Sequence, residues 1–510
     1  MTFILPSENP NILKPGQYRT DFFNRKNLYY INNKKTGENS FVCKLNEAYS
    51  LHGNPNLDDV NDAFLASLID YKPNAKLSPY KKIKKLPRAT FLSIKNNKEF
   101  KTYSYDPFSV SLNIKNKDHL YEFVKLRLVD IIKSNIDVDK DKIAFELSSG
   151  IDSNSILGCT LKSFKLESSR VFISSYEGAG ELQFLNESIK FHDLKKENIH
   201  VIKKTNIFKE KQNSFERNLS TLGAPSQIGD FPFDHLMLRK NSCNKLFSGL
   251  GGDQAISHHG RNAIKDLVCD MKINELIKWS KGVKPALKLF IQYLFMTEQF
   301  NYYKLRKRSE KWIDNKILKN FLTDIGHSKF DHYFRKTDYS ELNTNLRMRD
   351  SIKNRISLDY ISVRVDEEIR YAESFGMQKI FPLLDELIIG TLINQDPLFF
   401  CEDIHNTRQV ARESFKDFIP DRLYKNASKK INHNEEWKKE YQKLIFNYLS
   451  KNISTDLTWH PLISNYWKID DLIENILKNL NQKTSIKKLL GFKIAYETLT
   501  SIDHWFKKID

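Results

Sequence analysis

Residues 143–153, IAFELSSGIDS, constrain this chain more than any other stretch. Residues 143–147 are a short apolar run of the kind that forms a strand buried on both faces. The run ends in Ser148, Ser149 and Gly150, which carry little or no side chain, so three successive backbone N–H groups are expected to close on an anion. Ile151, Asp152 and Ser153 then open a helix over SNSILGCTLKSF, whose positive N-terminal end points the same way. Such a turn suits a pyrophosphate. It lacks the lysine of the GxxxxGK[ST] loop, a pattern found nowhere in the chain. Charge neutralisation is therefore expected from a metal ion, with Asp152 placed to hold it. An ordinary strand–turn–helix corner could carry the same residues.

A second stretch repeats the pattern. Residues 245–254, KLFSGLGGDQ, run from a short apolar strand through Ser248, Gly249, Gly251 and Gly252 to Asp253. Two parallel strands that each deliver an aspartate at their carboxyl ends can set both in one crevice, where open α/β sheets bind ligands. A pair of carboxylates facing a triphosphate suits Mg²⁺, which takes few protein ligands and completes its shell from phosphate and water.

The surrounding pattern supports such a sheet. Over residues 116–270, the runs IAFEL, RVFISSY, IHVIKK and KLFSG alternate with helical stretches, which predicts an α/β fold with a doubly wound parallel sheet. Residues 271–510 read as helical; LIENILKNL sets Leu472, Ile473, Ile476, Leu477 and Leu480 on one face. Residues 1–115 are β-rich, with LYYI, SFVCKL and a hairpin of ATFLSI across Asn96 and Asn97. Within them NLDDVNDAFLASLIDY predicts one helix, with Leu57, Val60, Phe64, Leu65 and Leu68 facing inward.

Composition excludes several classes. At 510 residues there is room for two or three domains. The net charge, 81 − 63 = +18, favours anionic partners, although much of it is lysine of the solubilising kind. Cys43, Cys159, Cys243, Cys269 and Cys401 are scattered without a CxxC pair, so neither a zinc site nor a disulfide framework is expected. That usage fits a reducing compartment, and the N-terminal residues lack the pattern of a signal peptide. No run approaches the roughly 18 apolar residues of a membrane span. A cytoplasmic protein without a membrane partner is expected.

At the two loops the chain resembles the synthetase domain of the asparagine synthetase family. Residues 148–153 match the family's SGGxDS pyrophosphate loop, with Ser149 in place of the first glycine, and residues 248–254 match its SGxGxDE loop, with Gln254 in place of glutamate. In the same order, Pro382-Leu383-Leu384-Asp385 is similar to PFLD, and residues 408–430 are similar to a late helix, proline and basic loop. The likeness covers roughly residues 45–435. It implies a fold of the adenine-nucleotide α-hydrolase type, with ATP and Mg²⁺ as cofactors. Ser148, Ser149, Gly150, Ile151, Asp152, Ser153, Ser174, Ser248, Gly249, Gly251, Gly252 and Asp253 would hold the nucleotide, and Asp152 and Asp253 the metal. Ser174 and Ser175 would lie beside adenine, and Glu181 stands where the family often has an acid. Asp385 is either a site residue or a helix N-cap. Lys430, or else Lys429, would be the catalytic cation; Ser428 replaces the arginine that precedes it in the family.

The resemblance also narrows the reaction. Residues 1–115 would be a reduced glutaminase-like domain, inactive because residue 2 is Thr rather than the catalytic Cys. Residues 116–510 would be the ATP-binding synthetase domain. The ammonia-using members carry glutamate where this chain has Leu250. The chain thus resembles the lactam-forming branch, the lasso-peptide cyclases and the β-lactam and carbapenam synthetases, in which one substrate bears both carboxylate and amine. The expected activity is AMP- and pyrophosphate-forming amide synthesis, first of all macrolactam closure in a precursor peptide, with a leader protease as partner. A metabolite or polysaccharide amide synthetase stands next. A tRNA-modifying pyrophosphate-loop enzyme and a non-catalytic binding subunit stand as readings of other classes.

Overall fold

The computed structural model describes residues 12–23, 25, 27–33, 38–96, 98–164, 171–176, 181–202, 217, 219–229, 235–295, 317–334, 346–403, 405–425, 435–453, 457–480 and 484–510. Its strands are β1 (Gly16–Thr20), β2 (Tyr29–Asn33), β3 (Glu38–Val42), β4 (Ile83–Lys85), β5 (Thr90–Ile94), β6 (Phe100–Ser104), β7 (Ile143–Glu146), β8 (Val171–Tyr176), β9 (Ile199–Ile202), β10 (Lys245–Ser248) and β11 (Gln378–Ile380). The last five form one sheet in the order β11-β10-β7-β8-β9, every pair parallel. The chain moves outward from β7 to β8 and β9, then returns to the other side of β7 for β10 and β11. The strand order therefore reverses between β7 and β10. That is where a doubly wound sheet opens a crevice at its carboxyl edge.

Apolar side chains cover both faces of the sheet. Phe145 and Phe247, stacked with ring centroids 5.5 Å apart, face the largest core. That core draws on helices Lys117–Asn135, Ile151–Phe164 and Glu386–Ile393. On the opposite face, Ala144 and Leu246 meet Tyr371, Ala372 and Phe375 at the end of helix Asp359–Ser374. The region expected to be wholly helical thus contributes the edge strand β11. Three residues with Lys379 at their centre carry no strand pattern; only pairing with β10 makes them one.

The strands between Gly16 and Ser104 form two antiparallel sheets, β1-β5-β6 and β3-β2-β4, which close on Leu28, Phe41, Leu86, Leu92 and Ile94. The β5–β6 hairpin forms where expected, and Asn96 Oδ1 accepts the N–H groups of Lys98 and Glu99. The single helix expected nearby is broken. Residues Leu57–Asp59 make one 3₁₀ turn, Val60 bridges to Tyr80, and Asn61 caps a separate helix, Asp62–Ile69. The Asn side chain offers the backbone a cap in place of another helical turn.

This region shares a core with the far end of the chain. Tyr29, Val42, Phe64 and Leu65 pack with Ile445, Leu472, Leu499 and Trp505, and the indole N–H of Trp505 donates to Tyr80 Oη at 2.9 Å. Leu472, Ile473 and Ile476 are buried in that core as expected, but Leu477 is 43% exposed. It lies at the edge of the apolar arc, outside the core that takes Leu472, Ile473 and Ile476. Among the described residues no helix is long and apolar enough to cross a membrane.

Candidate active site

Strand register brings the two loops together. Phe145 pairs with Phe247 and Glu146 with Ser248, so both turns leave neighbouring strands at the same level. They then interlock through glycine. A Cβ on Gly249 would sit 2.9 Å from the Ser153 nitrogen and 3.1 Å from its Cα. A Cβ on Gly252 would lie 2.7 Å from Asp152 Oδ2 and nearer still to the carboxyl carbon. Only glycine lets the Asp152 carboxylate rest against the backbone one residue before Asp253. Gly251 has φ +100° and lies against Leu384, so the PLLD segment supports the second loop from below.

The first loop is tied to itself. Ser148 N–H donates to Ser153 Oγ at 3.1 Å, and Gly150 N–H donates to Ser148 Oγ at 3.2 Å. The Asn154 amide donates to the Ser148 and Gly150 carbonyls at 3.0 and 2.9 Å and is fixed in turn by Ser188. Two of the three N–H groups expected to face an anion are thus engaged by hydroxyls of the same turn. Ser149, Ile151, Asp152 and Ser153 are all buried. Ser174 lies beside Glu146 on β8, fully buried, and its hydroxyl finds no hydrogen-bond partner among the described residues. β8 runs on past Ser175 to Tyr176. Glu181 begins helix Glu181–Phe191.

The second loop is held from outside. The Asp253 side chain is 44% exposed, and its Oδ1 accepts Arg408 Nη1 at 2.9 Å and Ser257 Oγ at 3.3 Å. Arg408 is a non-glycine residue with φ +63°, a conformation of about 1–3 kcal/mol strain that must be imposed by its surroundings. The sequence marks Arg408 only as the first residue of the stretch similar to a late helix, proline and basic loop. Nothing local marks an arginine as left-handed or gives it a partner 155 positions away.

The other expected residues divide. Asp385 Oδ1 caps helix Glu386–Ile393 through the Ile388 N–H at 2.9 Å, and its carboxylate takes a two-point bond from Arg127. It pins helix Lys117–Asn135 to the start of helix Glu386–Ile393, which is the N-cap reading. His258 is a buried loop residue: Nδ1 accepts Gly260 N–H and Nε2 lies 3.3 Å from Ser351 Oγ. Burial holds its pKa well below the usual histidine value, and the same cause takes His259 to about 4, so both sit as neutral rings. Lys429 and Lys430 lie outside the described residues. Just before them, in helix Asp421–Lys425, Arg422 pairs with Glu187 at 2.8 Å.

Among the described residues no three His, Cys, Asp or Glu side chains gather as an all-protein metal site. Asp152, lodged against Gly252, and Asp253, the next residue along, are the carboxylates that could share a cation completed by phosphate and water. The buried, unpartnered Ser174 hydroxyl and the glycine-lined contact between the loops fit a nucleotide laid across the switch point. Comparison with known proteins bears on the same region. No curated protein matches the chain as a relative. A family model described as asparagine synthase matches residues 124–494, nearly three quarters of the chain and every element of the crevice. The chain belongs to the asparagine synthase family and is by class an ATP-dependent carbon–nitrogen ligase.

Proposed function

We propose that this protein adenylates a carboxylate of its substrate and joins it to an amine of the same substrate, closing a macrolactam in a peptide as a lasso-peptide cyclase does. The observation that carries the reading is the meeting of the two small-residue loops at the switch point, with Asp152 lodged against Gly252. Leu250 supports the choice of amine. Half-buried against the main core, it gives an ammonium-sized nucleophile no carboxylate to bind, where ammonia-using members carry glutamate.

The chain's residues would act by position and charge rather than as nucleophiles. The 148–153 loop would take the pyrophosphate end of ATP. Exchange of the Ser153 Oγ and Ser148 Oγ bonds for phosphate oxygens would release the Ser148 and Gly150 N–H groups as donors. Asp152 and Asp253 would hold Mg²⁺, whose charge offsets that of the phosphates. Arg408, fixed on Asp253, keeps a permanent cation at the same place. The substrate carboxylate attacks the α-phosphorus and pyrophosphate departs; the amine then attacks the acyl carbon and AMP departs. Lys430, with Lys429 as the alternative, is assigned to the α-phosphate by resemblance. A cytoplasmic setting and a leader protease that frees the peptide's N-terminal amine belong to the same proposal.

The test is pyrophosphate exchange into ATP with Mg²⁺ and candidate peptides that carry a free N-terminal amine and an Asp or Glu side chain. Exchange should require the peptide, and the peptide should lose one water in mass. Exchange indifferent to every carboxylate but stimulated by tRNA would replace this reading with the tRNA one.

A further inference from the structure

Directly beneath the crevice lies a group of charged side chains that the proposed chemistry does not use. Glu146 is the last residue of β7, Lys379 the middle of β11, and Arg364 and Glu368 lie one turn apart on helix Asp359–Ser374. Register aligns Lys379 with Leu246 and Ser248 with Glu146, so alternation puts Lys379, Ser248 and Glu146 on one face of the sheet. Lys379 Nζ bonds Glu146 Oε1 and lies 2.7 Å from Glu368 Oε2, and Arg364 Nε donates to Glu368 Oε1 at 2.6 Å. The Lys379, Glu368 and Glu146 side chains are 1%, 2% and 3% exposed. Two acids and two bases sum to zero. Burial opposes the Lys379 charge, but Glu146 and Glu368 outweigh it and its pKa lies above the ordinary value. Burial would likewise raise Glu368, but Lys379 and Arg364 take it down to about 2.

A buried ionic group of this kind adds little stability over apolar side chains of the same size. Its position is more informative. Glu146 stands two residues before the first loop, and Ser248, its register partner on β10, begins the second. The Ser248 hydroxyl in turn accepts the Leu250 N–H at 3.4 Å. Lys379, Glu146 and Ser248 therefore stand side by side on one face of the sheet, from the buried ionic group to the start of the second loop. We propose that Glu146, clamped by Lys379, is a positioning residue that fixes Ser248 and thereby the spacing of the two loops that receive the nucleotide. This rests on the nucleotide-binding reading above.

The test uses charge-balanced pairs that leave Arg364–Glu368 intact. Glu146→Gln with Lys379→Met keeps a polar side chain beside Ser248; Glu146→Leu with Lys379→Met removes it. Thermal midpoint and the affinity for a non-hydrolysable ATP analogue with Mg²⁺ are measured for each. Both doubles should fold, and E146Q/K379M should bind within about 3-fold of the wild type. E146L/K379M should bind about 10–100-fold more weakly at an unchanged midpoint, the usual effect of losing an outer support of a site. Ser248→Ala provides a second route: its loss should be large in E146Q/K379M and small in E146L/K379M. Equal binding by the two doubles, or equal Ser248→Ala losses in both, would overturn the inference while wild-type binding stands. Wild-type protein that binds no nucleotide would end the functional reading itself, and this inference with it.

Discussion

The loops after β7 and β10 are built from the same residue types, yet they are held by different means. The first, residues 148–153, is shaped by neighbours in sequence: Ser148, Ser153 and Asn154 close it, and Asp152 is buried inside it. The second, residues 248–253, has few side chains of its own and takes its shape from Leu384, Ser257 and Arg408, which puts Asp253 at the surface of the crevice. A serine-rich turn stores its conformation locally, whereas a glycine-rich turn must receive it from the rest of the fold. The crevice thus joins a rigid half to a supported half, and each should fail in its own way.

The largest expected effect erases the difference. Asp152→Asn and Asp253→Asn should each reduce pyrophosphate exchange by about 10³-fold or more, since each removes half of a divalent-cation site worth several kcal/mol. Full exchange in either variant would mean that the two carboxylates do not act together. Next come the glycines. Gly252→Ala forces a methyl group onto the Asp152 carboxylate and should weaken ATP binding with little change in thermal midpoint. Gly251→Ala meets the movable Leu384 side chain but must hold φ +100°, so it should lower stability by about 1–3 kcal/mol. If the two alanine variants exchanged phenotypes, the contact between the loops would not be what Gly252 serves.

The third effect belongs to the supported half. Arg408→Met should lower affinity for Mg²⁺–nucleotide by about 10–100-fold, as when a metal-binding carboxylate loses its outer partner. The thermal midpoint should hold or rise, because a strained residue loses its reason to be strained without a core contact being broken. An unchanged affinity would reduce Arg408 to a cap on helix Gln409–Ser414.

The same contrast explains what could be read from the chain beforehand. The β7 and β10 strands, their loops and the helix from Ile151 were legible because apolar runs ending in small residues and an aspartate are local patterns. β11, Arg408 and the Lys379–Glu146 contact were not, since each exists only through a partner more than a hundred residues away. Asp385 shows the limit from the other side. Its sequence position allowed a cap or a site residue, and only the Arg127 bond and the Ile388 N–H decide for the cap. Leu477 was misplaced because a helical face is an arc, and how much of it is covered depends on the neighbour that packs there.

The smallest effect probes the self-tied half. In Ser153→Ala the Ser148 N–H loses its 3.1 Å acceptor and the hydroxyl bridge to Ser148 Oγ disappears, so stability should fall by about 0.5–1.5 kcal/mol. Nucleotide affinity should follow a different rule. In the closed loop an incoming phosphate must displace Ser153 Oγ from that N–H, and the variant removes the competitor along with the bond. The two consequences oppose each other, so affinity should stay within about 3-fold of the wild type, well below the factor of ten that 1.4 kcal/mol would give. This is the reverse of Arg408→Met, which should spare stability and lose affinity. An alanine at 153 that abolished binding at an unchanged thermal midpoint would make the Ser153 hydroxyl a direct phosphate donor, and the first loop would then be open to its ligand in the same way as the second.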